Sequence, residues 1–331
     1  MSEMGVLVIA EIGSVHDGSF GNAKRLIDAA AERGVDAVKL QTHIAEAETV
    51  RGAPPPSYFT AEPRYEYFQR TAFSEQQWHE LATHSAGCGV ELLSSPFSVA
   101  AVALLERVGI GRYKIPSGEV TNVPLLAAVA ATGKPALLSS GMSSWEELDR
   151  AVALFRPELL TLLQCTSEYP CPYDQVGLNV LAEMRERYGL PVGLSDHTLT
   201  NYTSFAAVAL GATVVEKHFT FSRLMYGSDA RHSLEPAELG DLVTGIRAIE
   251  AAVASPVDKS DASRFAEMKA TFEKSVVAAT DIEAGTTLAA AHLTVKRPGT
   301  GLPSAVLPEL VGRRAVRAIP RDTLLNWADL A

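Results

Sequence analysis

VGLSDHT (192–198) and ATVVEKHFT (212–220) are two apolar runs of strand length, and TSFAAVALG (203–211) between them has the pattern of a helix. Near-continuous apolar strands separated by helices are typical of a parallel sheet whose faces are covered by helices. The first run ends in Asp196 and His197, and the second contains Glu216 and His218 near its end. Since the carboxyl ends of parallel strands carry functional side chains, this stretch predicts both an architecture and the edge where a site lies.

The same alternation of strand-like and helix-like segments extends from residue 6 to about residue 254. Eight strand-like runs occur, at 6–12, 36–42, 90–97, 112–118, 135–142, 159–167, 192–198 and 212–220. Ser74 stands three residues before Gln77, the spacing of a capping box that begins a helix. Eight such units in about 250 residues predict an α/β fold of the (β/α)8 or TIM-barrel type. A doubly wound open sheet is the alternative, because periodicity does not show whether a sheet closes.

The pattern changes after residue 254. Residues 255–273 are polar and lack apolar periodicity, so they are predicted to link a barrel at 1–254 to a second domain at 274–331. The second domain contains short β-like runs such as LTVKRPG and RRAVRAI, separated by turn signals such as EAGT. It is therefore predicted to be small and mostly β. At about 60 residues it is close to the lower limit for independent folding.

Composition and charge narrow the class of protein. The chain has 331 residues and a formal net charge of −10, whereas nucleic acids and anionic membranes attract basic surfaces, so neither is expected as a partner. No stretch approaches the roughly 20 apolar residues of a membrane span, and the first residues lack the basic region of a signal peptide. Cys88, Cys165 and Cys171 have no metal-knuckle spacing and fit reduced thiols. A cytoplasmic protein is predicted.

Polar groups follow the apolar strands along the whole predicted barrel. These strand-end residues are Glu11, Lys39, Gln41, Ser94, Ser95, Lys114, Ser117, Glu119, Ser139, Ser140, Thr166, Ser167, Asp196, His197, Glu216 and His218. Since catalytic groups lie at the carboxyl ends of barrel strands, the pattern predicts an enzyme rather than a structural protein. Cys165, inside its apolar strand, is predicted to behave as a small buried hydrophobic residue.

His197 and His218 end neighbouring strands, so in a barrel their side chains could converge on one point. Neutral imidazoles are common ligands of divalent first-row metals. The carboxylates of Asp229 and Glu11 would complete a hard, partly hydrated ligand sphere suited to Mn2+ or Mg2+, whereas zinc is expected to use more His or Cys. Two ordinary histidines near the core are the alternative.

Lys39 and Lys114 each lie within an apolar strand, where an unpaired ammonium group is costly to desolvate. A protein carboxylate such as Glu119 could pair with them. The alternative is a bound anion, with hydroxyl groups donating to its oxygens from Ser94, Ser95, Ser117 and Ser140. No P-loop and no GxGxxG motif occurs, so nucleotide binding has no support. Two lysines, several hydroxyls and a divalent cation favour a small phosphorylated, carboxylated substrate.

The motifs that contain these residues resemble those of a known family. They are IAEIGSVHDGS, DAVKLQTH, SSPFS, YKIPSGE, LLSSGM, LLQCTSEYPCPY, GLSDHT, VVEKHFT and VKRPGTG. In this order and spacing they are similar to those of the bacterial sialic acid synthases, the phosphoenolpyruvate-dependent N-acetylneuraminate synthase family, whose relatives make legionaminic and pseudaminic acids. The resemblance implies a TIM barrel and a small antifreeze-like (SAF) domain from about Lys274. It also implies a domain-swapped homodimer, in which the small domain of one chain caps the barrel of the other.

The resemblance further implies roles for single residues. His197 and His218 match the metal ligands, with Mn2+ or Mg2+ as the cofactor. The positions around phosphoenolpyruvate are matched by Lys39, Ser95, Lys114, Ser117 and Ser140. The sugar-binding positions are matched by Ser167, Tyr169, Asp229 and Arg297, the last of them placed by the partner's small domain on the N-acyl group. The candidate catalytic carboxylates are Glu11, Glu119 and Asp229.

The implied reaction condenses phosphoenolpyruvate with an N-acylated hexosamine, N-acetylmannosamine being the leading case, to give a nonulosonic (sialic) acid and phosphate. One alternative is a legionaminic or pseudaminic acid synthase that uses a diacetamido sugar. A second is a barrel metal-dependent lyase or isomerase of another sugar phosphate. The alternative of another class is a carbohydrate-binding protein without catalytic activity.

Overall fold

The structure is a computed structural model, and it describes residues 5–54 and 62–331. The chain divides into two compact units, Met1–Ser255 and Pro256–Ala331. Most of the stretch predicted to be a linker, 255–273, therefore lies in the second unit. Among the described residues, no helix is both long enough and apolar enough to cross a membrane.

The first unit contains eight parallel strands that close into a barrel in sequence order. The strands are β1 (Leu7–Gly13), β2 (Ala37–Thr42), β3 (Glu91–Pro96), β4 (Tyr113–Ile115), β5 (Ala136–Ser139), β6 (Leu160–Cys165), β7 (Val192–Asp196) and β8 (Val214–His218). β1 pairs with β8, and Glu11 lies opposite His218 in this register. The predicted TIM barrel is confirmed, and the open sheet is excluded because this pairing closes it.

Helices surround the barrel. They are α1 (Phe20–Glu32), α2 (Ala45–Glu48), α3 (Arg64–Thr71), α4 (Glu75–Gly87), α5 (Val99–Val108), α6 (Val123–Ala131), α7 (Trp145–Val152), α8 (Leu178–Tyr188), α9 (Tyr202–Ala209) and α10 (Pro236–Ala254). α4 begins with the predicted capping box, in which Ser74 Oγ accepts from the backbone N–H of Gln77 and the Gln77 side chain accepts from that of Ser74. α2 and α3 are additional to the strand–helix repeat and lie between β2 and β3.

The barrel interior has two layers of side chains. Six apolar side chains form a buried cluster inside the barrel: Ile9, Ala37, Leu93, Leu137, Leu163 and Val214. Two positions further along the same strands stand Glu11, Lys39, Ser95, Ser139, Cys165 and Glu216. Residues two apart in a strand point to the same face, so the second set lies directly above the apolar layer, toward the carboxyl ends of the strands. A larger apolar cluster fills the space between strands and helices.

The second unit is small and has its own core. It contains α11 (Ala266–Phe272), β9 (Ser275–Ala278), β10 (Leu293–Lys296) and α12 (Leu307–Leu310). β9 and β10 form an antiparallel pair, and isolated β-bridges such as Ile282 to Ile319 extend the β structure. Its buried side chains include Val276, Leu288, Leu310, Ile319 and Leu325. The predicted small domain with β structure is confirmed.

Candidate functional site

A cavity of about 300 Å³ lies at the carboxyl ends of the barrel strands, and we call it the barrel-mouth cavity. Most of the predicted site residues line it: Glu11, Lys39, Ser95, Lys114, Ser117, Ser167, Tyr169, His197, His218 and Asp229. They come together because alternate residues of every strand face the interior, and the strand ends converge at one edge of the barrel. Of the other predicted site residues, Glu119 and Ser140 lie outside this lining, and Arg297 belongs to the second unit.

Both predicted lysines pair with one carboxylate. Lys39 Nζ lies 2.9 Å from Oε2 of Glu216 and 3.6 Å from Oε1 of Glu11. Lys114 Nζ donates to Oε1 of Glu216 at 3.1 Å, and the hydroxyl of Ser195 donates to the same oxygen at 3.0 Å. The protein carboxylate that pairs with the two buried lysines is therefore Glu216, and not Glu119, the carboxylate that the sequence suggested.

Burial and nearby charges give Glu11 and Glu216 different pKa values. Burial raises the pKa of Glu11 to about 7, because the opposing attraction of Lys39 does not make up for desolvation. Burial would also raise the pKa of Glu216, but Lys114 and Lys39 outweigh it and hold that pKa below its usual range. Burial would lower the pKa of Lys39, yet Glu11 and Glu216 raise it, so Lys39 stays charged. Near neutral pH, Glu216 is ionised while Glu11 carries a proton part of the time. Burial lowers the pKa of Lys114 despite the attraction of Glu216, and an anion bound beside it would favour its charged form.

Several hydroxyl groups face the cavity, but Ser140 does not. Ser95 Oγ and Ser139 Oγ are buried and have no hydrogen-bonding partner among the described residues. Ser140 Oγ instead donates to Oε1 of Gln164 at 3.0 Å, on the outer side of the sheet. The alternation of β5 explains this, since Leu137 and Ser139 face inward and Ser140 faces away. The inward residue that the resemblance missed is Ser139, and the period of two along its strand is the signal that could have found it.

Gly141 allows two further hydroxyls to approach the lining. A Cβ atom at this position would lie 2.6 Å from Oγ of Ser117 and still closer to Oγ of Ser167. Any larger residue would push these two lining hydroxyls apart. Ser117 and Ser167, predicted to face different substrates, are thus neighbours across one glycine.

The two predicted metal ligands lie side by side. The rings of His197 and His218 have centroids 5.5 Å apart, and Tyr169 stacks on His197 at 4.1 Å. His197 Nδ1–H donates to the carbonyl oxygen of Thr166 at 2.8 Å, which leaves its Nε2 available. His218 Nδ1 is buried with no hydrogen-bonding partner in the part of the chain described, and burial lowers the pKa of His218 to about 4, so its ring is neutral.

Cys165 also lines the cavity, and its Sγ lies 4.0 Å from Nδ1 of His197. The residue is buried, as the sequence suggests, but its surroundings are polar. Burial alone would raise the pKa of the thiol, yet His197 and Lys114 outweigh it and lower that pKa to about 7. The thiol is therefore more acidic than that of an ordinary buried cysteine.

Asp229 meets the end of β1 at a glycine. Gly13 has a positive φ of 56°, and a Cβ atom there would lie 2.8 Å from Oδ2 of Asp229 and 3.4 Å from Oε1 of Glu11. Only the absence of a side chain lets Asp229 come this close to the strand end. The two carboxyl groups predicted to handle protons therefore flank the same backbone position.

A hydrogen-bond chain that the sequence did not reveal supports Glu11. Gln41 Nε2 donates to Oε1 of Glu11 at 3.1 Å, and Nε2 of His43 lies 3.0 Å from Oε1 of Gln41. His43 Nδ1 is 2.6 Å from Oε1 of Glu48. Both of these contacts are hydrogen bonds when the His43 ring carries a proton on each nitrogen. The chain fixes the orientation of the Gln41 amide.

Aromatic rings hold His43 in place. Its ring is stacked between Phe68 at 3.7 Å and Phe97 at 4.2 Å. Phe68 belongs to α3, which also brings Arg64 and Tyr67 to the cavity lining. These contributions escaped the sequence analysis because α3 lies outside the strand–helix repeat.

Two predicted site residues, Glu119 and Arg297, have other contacts. Glu119 ends a single 3-10 turn after β4, Ser117–Glu119, and its Oε2 accepts from Nδ2 of Asn122 at 2.6 Å. Arg297 belongs to the second unit, where its Nε donates to the carbonyl oxygen of Phe272 at 3.0 Å. Its exposed guanidinium group lies over the Phe272 ring at 5.9 Å from the ring centroid. Glu119 is thus not part of the lining of the barrel-mouth cavity.

A possible metal-binding cluster also occurs away from this cavity. Within the described ranges, the side chains of Asp28, His84 and Cys88 are the one set of three or more His, Cys, Asp or Glu residues whose ligand atoms all lie within 4.8 Å of one another. Among the described residues, His197 and His218 do not form such a set with a third His, Cys, Asp or Glu. That arrangement leaves room for water and substrate around an ion.

Comparisons with known proteins agree with this architecture. Residues 26–258 match the NeuB family and residues 273–331 match the SAF domain. The chain is 37% identical over 330 residues to the N,N'-diacetyllegionaminic acid synthase of Campylobacter jejuni, which covers 97% of this chain and 98% of the relative. It is 35% identical to the human N-acetylneuraminate-9-phosphate synthase, covering 95% of this chain and 90% of the relative.

A solved structure is also similar. The crystal structure of the N-acetylneuraminic acid (sialic acid) synthetase from Leptospira borgpetersenii, in complex with citrate, superposes with a TM-score of 0.70 at 30% sequence identity. The match covers 80% of this chain and 91% of that chain. The similarity in sequence and in structure thus extends over most of the chain.

Proposed function

Because the chain belongs to the NeuB family of sialic acid synthases, and is an enzyme of that transferase type, we propose that it condenses phosphoenolpyruvate with the open-chain form of an N-acylated hexosamine. The products would be a nonulosonic acid and inorganic phosphate. The observation that carries this proposal is the grouping, in one cavity, of two buried lysines, two adjacent histidines and serine hydroxyls that have no partner among the described residues. The lysines and hydroxyls would bind the anionic groups of phosphoenolpyruvate, and the histidines would hold a metal ion at the aldehyde oxygen of the sugar.

Lys39 and Lys114 would bind the anionic substrate. They share Glu216, and Glu11 is partly protonated near neutral pH, so the lysines retain attraction for a phosphate or a carboxylate. The hydroxyls of Ser95 and Ser139 would donate to its oxygens, since they have no partner among the described residues. A fixed cationic site of this kind stabilises negative charge as it develops on the departing phosphate. We propose Ser139 here in place of Ser140.

A divalent ion, Mn2+ or Mg2+, would be held by His197 and His218. The residues fit it, because the Nε2 of His197 is available and the buried His218 ring is neutral with a nitrogen that lacks a partner among the described residues. The ion would supply Lewis-acid polarisation of the sugar's aldehyde oxygen. Tyr169, stacked on His197, would keep that ring in place and face the sugar.

The remaining chemistry needs proton transfer. C3 of phosphoenolpyruvate forms a bond to the aldehyde carbon, water adds at C2, and the C–O bond to phosphate breaks. Glu11, whose pKa is about 7, is suited to take a proton from the attacking water and to give a proton to the former aldehyde oxygen, which becomes a hydroxyl group. The proton of the new C2 hydroxyl leaves with phosphate as the ketone forms. Asp229, on the other side of Gly13, is the second candidate. Glu119 has no part in this proposal, because its carboxylate is bound to Asn122 outside the cavity lining.

We assign Arg297 to the N-acyl group of the sugar, placed there by the second unit of a partner chain in a domain-swapped homodimer. Arg297 is exposed, and its Nε donates to the carbonyl oxygen of Phe272, so the two terminal nitrogens of the guanidinium group could donate to an amide. This role rests on the resemblance of VKRPGTG to the family motif.

The sugar has two main candidates. N-acetylmannosamine is the lead that the family resemblance suggests. A diacetamido sugar is the second, favoured by the 37% identity to a legionaminic acid synthase. Both substrates contain an N-acyl group and an aldehyde carbon, so the same site residues serve both.

The test is the release of inorganic phosphate from phosphoenolpyruvate with Mn2+ and a panel of sugars. The panel holds N-acetylmannosamine, its 6-phosphate, mannose, and the diacetamido precursors of legionaminic and pseudaminic acids. Release with one N-acylated sugar, stopped by EDTA, supports the proposal and identifies the substrate. A folded, metal-loaded protein that releases no phosphate with any sugar contradicts it. Sugar binding without turnover would instead support a carbohydrate-binding protein.

A further inference from the structure

Three potential metal ligands from two neighbouring helices meet on the outside of the barrel. His84 Nε2 lies 2.6 Å from Oδ1 of Asp28, a residue of α1. Cys88 Sγ lies 3.5 Å from the same oxygen and 3.8 Å from His84 Nε2. One carboxylate oxygen, one imidazole nitrogen and one sulfur therefore surround a common point.

The local sequence explains this convergence. His84 lies in the last turn of α4 and Cys88 is the residue that caps its end, so the two are four residues apart and lie on one face of the helix. α4 packs beside α1, which brings Asp28 against that face. In a (β/α)8 barrel the helices end at the face opposite the carboxyl ends of the strands, so the cluster is remote from the barrel-mouth cavity.

The distances suit tetrahedral zinc. Bond lengths of about 2.1 Å to nitrogen or oxygen and 2.3 Å to sulfur place ligand atoms about 3.4–3.6 Å apart around the ion. Of the two contacts of Cys88, the one to Asp28 at 3.5 Å has this length, and the one to His84 at 3.8 Å is about 0.2 Å longer. Only the contact between Asp28 and His84 must open, from 2.6 Å, to admit the ion.

The surroundings fit an ion that enters from solvent. The side chains of Asp28 and His84 are 25% and 28% exposed, which leaves a path to water and space for a fourth, water ligand. Arg25 binds the other carboxylate oxygen, Oδ2, at 3.1 Å and so fixes Asp28 with Oδ1 facing His84 and Cys88. Without an ion, His84 and the Cys88 thiol both hydrogen-bond to Oδ1 of Asp28, and a bound ion would replace these two contacts with three metal–ligand bonds.

We propose that Asp28, His84 and Cys88 form a zinc site on the outer face of the barrel. The mixed nitrogen, sulfur and oxygen ligands select a borderline-soft ion such as Zn2+. The site is independent of the proposed condensation reaction, and it can be occupied whether or not that reaction takes place.

The experiment is a Co2+ titration of the full chain, with Zn2+ as competitor. Cobalt bound to a thiolate gives an intense charge-transfer absorption that histidine and carboxylate ligands do not give. We expect this band in the native protein, its loss in Cys88→Ser, and its displacement by Zn2+. In His84→Gln and Asp28→Asn we expect Zn2+ to bind roughly tenfold more weakly or worse, since even indirect supports of a metal ligand contribute this much.

Two controls separate this site from others. His79→Ala changes an exposed histidine of the same helix and should leave the band intact. His218→Ala changes the barrel mouth and should also leave it intact, so failure of the proposed function does not affect the result. Circular dichroism shows whether each variant is folded. If Cys88→Ser does not fold, the test is the weaker Zn2+ binding expected of Asp28→Asn. The absence of a thiolate–cobalt band in the native chain overturns the proposal, as does a band that persists in folded Cys88→Ser.

Discussion

Oε2 of Glu216 lies 2.9 Å from Nζ of Lys39, and both side chains are almost fully buried inside the barrel. Their strands, β8 and β2, are not neighbours, since β1 lies between them. The same carboxylate accepts a hydrogen bond from Lys114 of β4, on the opposite side of the barrel. One buried carboxylate therefore connects three strands across the interior.

Replacement of this carboxylate should destabilise the fold. In Glu216→Gln, two buried lysines lose their shared counter-charge, and breaking a buried ion pair on one side costs about 3–5 kcal/mol. We expect the free energy of unfolding, measured by urea denaturation, to fall by about this amount. Glu75→Gln, which breaks the exposed pair with Arg107, is the matched control and should have little effect. Equal stability of the two variants would contradict the importance of the pairing.

Glu11 should make stability depend on pH. Burial raises its pKa from 4.5 to about 7, so the folded chain binds the proton more tightly than the unfolded chain. This contribution is present in full below about pH 4.5 and is lost as pH rises through about 7. Relative to the native protein, Glu11→Gln should therefore gain stability with rising pH in this window, with a slope of at most about 1.4 kcal/mol per pH unit. A difference that does not vary with pH would refute the raised pKa.

Gln41 should control the acidity of Glu11. Its amide donates to the Glu11 carboxylate and so favours the ionised form. Gln41→Leu should raise the pKa of Glu11, which carboxyl-carbon NMR can follow directly, and should move the acidic limb of the pH–rate profile to higher pH. His43→Phe keeps the stacking between Phe68 and Phe97 but removes the hydrogen bond that orients Gln41. We expect His43→Phe to raise the pKa of Glu11 as well, but by a smaller amount. A lowered pKa of Glu11 in either variant would contradict this role of the hydrogen-bond chain.

His218 should be needed for metal binding at the barrel mouth. We expect His218→Ala to bind Mn2+ roughly tenfold more weakly or worse, because a direct ligand is lost. Electron paramagnetic resonance of free Mn2+ measures this without any turnover. The exposed His79→Ala should bind Mn2+ like the native protein. Native-like affinity in His218→Ala would remove this histidine from the metal site.

Arg297 should affect one substrate only. In Arg297→Ala, we expect KM for the N-acylated sugar to rise roughly tenfold or more, as for the loss of one hydrogen bond from a charged group. KM for phosphoenolpyruvate should change little. Arg321→Ala removes another exposed arginine of the second unit and is the control. If the sugar's KM is unchanged in Arg297→Ala, the arginine does not contact the sugar.

Local patterns in the sequence were sufficient for the barrel and for much of its mouth. Apolar runs followed by helical segments predicted the eight strands, and polar strand ends predicted that Lys39, Lys114 and His218 face one cavity. These predictions succeed because the direction of each strand fixes where its carboxyl end lies. Ser140 differs from these residues, because its hydroxyl donates to Gln164 while the adjacent Ser139 lines the cavity.

Other parts of the site depend on contacts that no local pattern contains. Glu216 and Lys114 are 102 residues apart, and they meet only because the barrel closes. The His43–Gln41–Glu11 chain depends on Phe68, a residue of a helix outside the repeat. Asp28, likewise, reaches His84 only through the packing of one helix against another. Partners of this kind are set by tertiary geometry rather than by sequence spacing.

The apolar layer beneath the lysines affects the order in which the substrates bind and leave. Side chains such as Ile9, Leu93 and Leu163 fill the barrel below the polar groups, so the cavity is closed on the side of the amino ends of the strands. A molecule seated against the lysines must arrive before whatever lies above it and depart after it. For the proposed pair of substrates, the anion is the first to bind, and the sugar delays its escape. Steady-state kinetics should accordingly show compulsory rather than random addition.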